Sequence, residues 1–213
     1  MTLVAKNLAC VRAERLVFSA VNLSAGRGDL LVLRGPNGSG KSSLLRLLGG
    51  LIPAADGEVS WQGQNLTKTP EDLRLVVHYA GHLDAVKTPM TAEENLIFWA
   101  ALHGASGSAG EALVASALDA FDLTALAATP VHYFSAGQKR RLGLARLLTS
   151  HRPVWLLDEP TVALDALSVE RLRTVVNTYR KDGGIVLAAT HIDLGMGDEQ
   201  VLDLSAPGGE VAA

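Results

Sequence analysis

The chain is short of several things, and each shortage closes a class of explanation. Cys10 is the single cysteine among 213 residues, so an intrachain disulfide framework and a cysteine-based metal site are both excluded. That fits a reducing compartment. Aromatic residues make up 5% of a sequence that is 48% hydrophobic, which leaves a core filled mainly by aliphatic side chains. Positive charge is not in excess: 19 Lys and Arg against 22 Asp and Glu give a net charge of -3. Such a balance is ill-suited to neutralising a phosphate backbone, and no nucleic-acid partner is expected. No apolar run approaches the ~20 residues of a membrane helix. The start, MTLVAKNLAC, has no continuous apolar stretch with a cleavage site, so no signal peptide is expected. The expectation is a soluble chain whose membrane role, if it has one, is exercised through a partner.

What the sequence does have is short aliphatic runs. LLVLR (Leu30 to Arg34), EVSW (Glu58 to Trp61), LRLVVHY (Leu73 to Tyr79), VWLLD (Val154 to Asp158) and IVLAAT (Ile185 to Thr190) read as strands. LLVLR, VWLLD and IVLAAT are apolar nearly throughout, the pattern of strands covered on both faces of a parallel sheet. Helical patterns lie between them, so an α/β fold follows. From Thr91 to Thr129 the pattern is helical, with Thr91 and Glu94 spaced as a capping box. GASGSAG, Gly104 to Gly110, reads as a flexible turn between helices. The expected organisation is one domain over residues 1–213 with a helical subdomain, about 83–150, inserted into the α/β core.

LLVLR is followed by GPNGSGKSS and then by a helix-like run. Strand, glycine-rich turn and helix together read as a P-loop. Gly35, Gly38 and Gly40 let backbone N–H groups turn inward onto phosphates, and the helix directs its positive end at the anion. Pro36, Asn37, Ser39 and Ser43 complete the expected phosphate cradle. Lys41 is placed to reach the β- and γ-phosphates, and the Ser42 hydroxyl to bind Mg²⁺. VWLLDEP supplies Asp158 at a strand end for the metal, with Glu159 next to it to polarise the attacking water. His191, ending IVLAATH, is placed at another strand end to contact the γ-phosphate.

P-loops serve GTPases, helicases, kinases and transport ATPases alike. No Asn-Lys-x-Asp segment for reading guanine is present. FSAGQKRRLGLARLL, Phe134 to Leu148, resembles the signature motif of ABC ATPases, commonly LSGGQ; Ser135 and Gly137 match, while Phe134 and Ala136 depart. The run Lys139-Arg140-Arg141 reads as a solvated helix face. PTVALD, Pro160 to Asp165, resembles the family's D-loop, with Asp165 retained, and His191 matches its switch histidine. The resemblance implies a P-loop NTPase (RecA-like) core with an ABC-type antiparallel β region and an inserted helical subdomain. It also implies an ATPase that works as a homodimer, each ATP held between one copy's P-loop and the Ser135, Ala136, Gly137 and Gln138 of the other. Permease subunits in the membrane would be its partners. The family's adenine-stacking aromatic aligns with Arg12, either a stacking guanidinium plane or a surface arginine.

A narrower resemblance runs through YAGHLDAVKTPM, where His82 stands in place of the family's coupling-loop glutamine. Gly81, His82 and Lys87, the Ser-Ala-Gly-Gln signature and the Gly-Gly-Ile-Val ending are similar to the ATP-binding subunits of bacterial cytochrome c maturation haem exporters. That resemblance implies a peripheral subunit on the cytoplasmic face of the inner membrane, driving release of haem-loaded chaperone. No haem ligation by this chain is expected, since its histidines are scattered and no Cys-x-x-Cys-His motif occurs. An ABC subunit for a lipid, lipoprotein or metabolite, and a soluble ABC protein of repair or cluster assembly, are the competing readings.

Overall fold

The computed structural model describes residues 1–190, 195, 197–205 and the backbone of 211–212. In chain order the elements are β1 (Thr2–Arg12), β2 (Arg15–Gly26), β3 (Leu30–Arg34), α1 (Lys41–Leu48), β4 (Asp56–Trp61), β5 (Gln64–Asn65), α2 (Pro70–Val76) and β6 (Val77–Ala80). Then follow α3 (Ala92–Leu102), α4 (Gly107–Ala120), α5 (Ala136–Ala145), β7 (Val154–Asp158), α6 (Ala166–Lys181), β8 (Ile185–Ala189), β9 (Gln200–Asp203) and β10 (Val211–Ala212). They divide into two units: Met1–Tyr79, Arg152–Pro160 and Asn177–Ala213 form the first, Ala80–His151 and Thr161–Val176 the second.

In the first unit a six-stranded sheet has the order β10-β9-β3-β8-β7-β6. β3, β8, β7 and β9 pair in parallel, with Leu31 opposite Leu187 and Leu156 also opposite Leu187. Every residue of β7 and β8 is buried, which is why these strands read as unbroken apolar runs. Leu31, Leu33, Leu44, Leu48, Leu156 and Leu187 are among the side chains of one core. Each fully buried leucine contributes about 1.5–3 kcal/mol of transfer free energy.

Beside it lies an antiparallel sheet of order β2-β1-β4-β5. In β1 the buried positions run Leu3 and Ala5, then Leu8 and Cys10, so strict alternation breaks once. The break is a bulge: the pairing register shifts between Ala5 and Leu8, and Asn7 has φ 50°. Gly57 of β4 accommodates it, since a Cβ there would fall 2.4 Å from the Asn7 carbonyl oxygen. β1 turns into β2 through Ala13 and Glu14, both at positive φ. That two-residue turn matches strand twist.

The second unit is helical. Thr91 starts α3 with a closed capping box: Glu94 N donates to Thr91 Oγ1 at 3.1 Å and Thr91 N to Glu94 Oε2 at 2.8 Å. Buried Asn95 ties the preceding loop to the helix, accepting from Lys87 N at 2.7 Å and donating to the Lys87 carbonyl at 3.0 Å. Leu96, Ala100, Val114, Leu118, Phe121 and Leu142 are buried here.

Two expectations need correction. LRLVVHY is not one strand: Leu73 to Val76 close α2 and only Val77 to Tyr79 are extended. Pro70 at the first turn, with Glu71 and Asp72 beside the positive helix end, starts a helix that the apolar run then continues. GASGSAG is a turn only as far as Ser106, because α4 begins at Gly107. Gly107, at φ 59°, turns the chain into the helix, and burial of Val114, Ala117 and Leu118 outweighs the weak helix propensity of Gly107 and Gly110.

Candidate nucleotide-binding site

β3 delivers the chain into Gly35–Gly40 and α1 takes it away. The loop needs its glycines for room as well as for φ. Gly35 (φ 138°) could not carry a Cβ without meeting Ser39 Oγ at 2.8 Å. At Gly40 (φ 98°) a Cβ would lie 2.8 Å from both Val17 and Phe18. Gly40 is the N-cap of α1, and no side chain closes that helix end, so its first amide hydrogens are left for an incoming group. Lys41 is buried, and its ammonium curls back to donate to the Gly35 carbonyl at 2.7 Å and the Pro36 carbonyl at 3.0 Å.

Across the loop, β7 ends at Asp158, 2% exposed. Its carboxylate accepts from Ser42 Oγ at 2.8 Å and from the Tyr79 hydroxyl at 3.0 Å. Arg46 Nε donates to the same tyrosine oxygen at 3.4 Å. Burial foremost pushes the Tyr79 phenol up, so it stays protonated and donates at neutral pH. Glu159 follows with φ 48°, its N–H donating to the Ala189 carbonyl at 2.8 Å. That left-handed backbone turns the chain out of the sheet at the strand end. Glu159 then lines an open cleft of about 470 Å³ with Arg12, Asn37, Gly38, Lys41, Ser42, Ser43 and Arg46. No local motif marks Tyr79; for Arg46 the available signal is its place four residues after Ser42, on the same helical face.

In the second unit Ser135 caps α5. Gln138 N donates to Ser135 Oγ at 3.2 Å, and Ser135 N donates to Gln138 Oε1 at 2.8 Å. Ser135 uses a lone pair in this bond, so its O–H hydrogen remains for another acceptor. Ala136 is the first residue of the helix, a conformation in which a Cβ is unstrained. A Cβ on Gly137 would fall 3.0 Å from the Ala163 carbonyl oxygen, so the backbones at Gly137 and Ala163 approach closely. Asp165 Oδ1 accepts from Ser168 N at 2.8 Å, capping α6. Hydrogen bonds from Ser168 hold the Asp165 carboxyl below the usual carboxylate range.

Arg140 corrects the reading of the basic run as a solvated face. It is 4% exposed and donates to the Gly81 carbonyl at 2.9 Å and to Asp84 Oδ1 at 3.3 Å. The helix turns this position inward, where only a long fork of donors can satisfy the carbonyls of the His82 loop. His82 itself is exposed, and its carbonyl accepts from Arg140 at 3.5 Å. His191 lies outside the described residues.

A parallel-stranded core carrying a glycine-rich phosphate loop, with a buried carboxylate held against its serine, defines a P-loop ATPase domain. A model of the ABC transporter family matches residues 18–162, and the chain belongs to that family. It is 49% identical to the "Cytochrome c biogenesis ATP-binding export protein CcmA" of Paramagnetospirillum magneticum, over 95% of this chain and 94% of that protein. To the protein of the same name from Cereibacter sphaeroides it is 48% identical, over 96% of this chain and 90% of the relative. The solved "Structure of ATP binding subunit of ABC transporter" superposes with TM-score 0.88 at 27% identity, covering 100% of this chain and 89% of that one. A putative ABC transporter ATP-binding protein from Pyrococcus furiosus shares the fold, with TM-score 0.83 at 23% identity, 96% of this chain and 98% of that one. The chain is thus an ATP-binding, ATP-hydrolysing component of the ABC type. No helix among the described residues is long and apolar enough to cross a membrane.

Proposed function

We propose that this chain is the ATPase subunit of a haem exporter complex in cytochrome c maturation, bound peripherally to the cytoplasmic face of a bacterial inner membrane. The observation that carries the chemistry is the Ser42–Asp158 pair, 2.8 Å apart at the mouth of the P-loop and beside Glu159. Near full-length likeness to proteins named for cytochrome c biogenesis and export supports the assignment. Integral permease subunits would receive the work of ATP hydrolysis and handle haem, with no haem ligand supplied by this chain. The work done on ATP would be release of haem-loaded chaperone.

The residues fit a nucleotide-bound Mg²⁺. A buried carboxylate already bonded to the P-loop serine offers hard oxygen donors, and phosphate oxygens and waters complete such a shell. When bound, the ion neutralises charge developing on the phosphates. Ser42 and Asp158 would hold it. Lys41 would leave the Gly35 and Pro36 carbonyls for the β- and γ-phosphates, and the amides of Gly35 to Ser43 would wrap the phosphate chain. Glu159 would orient water as general base, with His191 beside the γ-phosphate. Arg12 lines the cleft, which supports its guanidinium stacking on adenine.

The α5 N-terminus would close on ATP held by a second copy, offering the Ser135 hydroxyl and the amides of Ala136 and Gly137, with Gln138 holding the cap and Asp165 supporting the D-loop. Residues about 83–150 would move as a helical subdomain and pass closure on through His82. Purification from native membranes tests the assignment. Cytochrome c maturation subunits should co-purify with the chain, and an unrelated permease in their place would overturn it.

A further inference from the structure

Tyr79 is placed where a residue could govern Asp158 without touching nucleotide. It stands third in β6, half-buried, with its ring packed on the core of the first unit. Its hydroxyl donates to one oxygen of Asp158 at 3.0 Å while Ser42 donates to the other at 2.8 Å. A carboxylate can turn about its Cβ–Cγ bond. Two hydroxyls, one on each oxygen and each carried by a different element, remove that freedom. Arg46 completes the chain by donating to the Tyr79 oxygen at 3.4 Å. It lies one helical turn beyond Ser42, so α1 carries both the hydroxyl that meets Asp158 directly and the cation that backs the tyrosine.

We propose that Tyr79 is a positioning residue: its hydroxyl fixes the plane of the Asp158 carboxylate, so that Ser42 and Asp158 present a preformed oxygen pair to the divalent cation accompanying ATP. This rests on the reading of Asp158 as the metal-side carboxylate. Outer partners that orient a ligating carboxylate govern metal affinity in this way, because the ligand otherwise spends part of its time in unproductive orientations. A phenylalanine at the same place would fill the same volume and drop only the donor. The proposal therefore concerns one oxygen atom.

The test is binding of a fluorescent ATP analogue to the full chain, titrated with Mg²⁺ and repeated in EDTA, for wild type, Tyr79→Phe and Asp158→Asn. The Mg²⁺ concentration for half-maximal effect should rise about tenfold in Tyr79→Phe. Its metal-free affinity should stay within about twofold of wild type, a split that general loosening of the core would not produce. In hydrolysis the Mg²⁺ requirement should rise with kcat largely recovered at saturating Mg²⁺. Arg46→Lys, which keeps the charge but loses the planar fork, should shift the requirement in the same direction by a smaller factor, and it decides the matter should Tyr79→Phe fail to fold. Unchanged Mg²⁺ dependence in Tyr79→Phe, or equal losses with and without metal, would overturn the proposal while Asp158→Asn still lost its response. A normal response in Asp158→Asn would instead overturn the reading of the site.

Discussion

The helices α1 and α5 begin in opposite ways. α1 starts at a glycine in the left-handed region, with no side chain over its first amides. α5 starts at Ser135 with both halves of a capping box closed. A side-chain cap is worth about 1 kcal/mol over alanine but only a few tenths over glycine, so α1 can begin at Gly40 with its amides left open to an anion at small cost. α5 is finished before any ligand arrives. The difference matches the division of labour proposed for them: α1 grips the nucleotide of its own copy, while α5 is a stiff surface to be pressed against a neighbour's.

This contrast can be broken from either side. The largest effect is expected from Lys41→Ala, which removes the cation beside α1's bare start; ATP affinity should fall about a hundredfold, read by equilibrium binding. Next is Gly40→Ala, which places a Cβ against Val17 and Phe18 at positive φ. About 1–3 kcal/mol of backbone strain should appear in thermal unfolding, with nucleotide affinity reduced as well. Ser135→Ala opens the box on α5 and should lower stability by about 1 kcal/mol. Ser135→Thr should keep the cap, so a matching loss in both variants would sever the link between cap and stability.

The smallest effect concerns the third helix start, at Asp165. Its carboxyl titrates lower folded than unfolded, so its contribution is present above the ordinary aspartate range, about pH 4, and is lost as pH falls through the folded value. Asp165→Asn should lower the melting temperature slightly near pH 7, and the difference from wild type should vanish as pH falls through the folded value. A difference that stays constant into acid would remove Asp165 from that role.

The strands that hold the site were legible because burial on both faces leaves no polar interruption: LLVLR and VWLLD match β3 and β7 end to end. The P-loop was legible because phosphate geometry demands glycine at fixed spacing. Where local chemistry competed with the apolar pattern, the sequence misled. Pro70 and two acids started a helix inside LRLVVHY, and Arg140 turned inward because the carbonyl of Gly81, 59 residues earlier, needed a donor. The contact between Tyr79 and Asp158 spans 79 residues. No local spacing encodes it, and only the order of strands in the sheet brings the two together.

In the proposed dimer, α1 of one copy and α5 of another complete a single ATP site, and light scattering on Glu159→Gln with ATP and Mg²⁺, alone and combined with Ser135→Arg, decides whether they do. Glu159→Gln should slow hydrolysis about 10²–10⁴-fold, retain ATP and shift from monomer to dimer, and the added Ser135→Arg should return it to monomer with ATP still bound. A monomer under saturating ATP in Glu159→Gln, or a dimer indifferent to Ser135→Arg, would contradict the account.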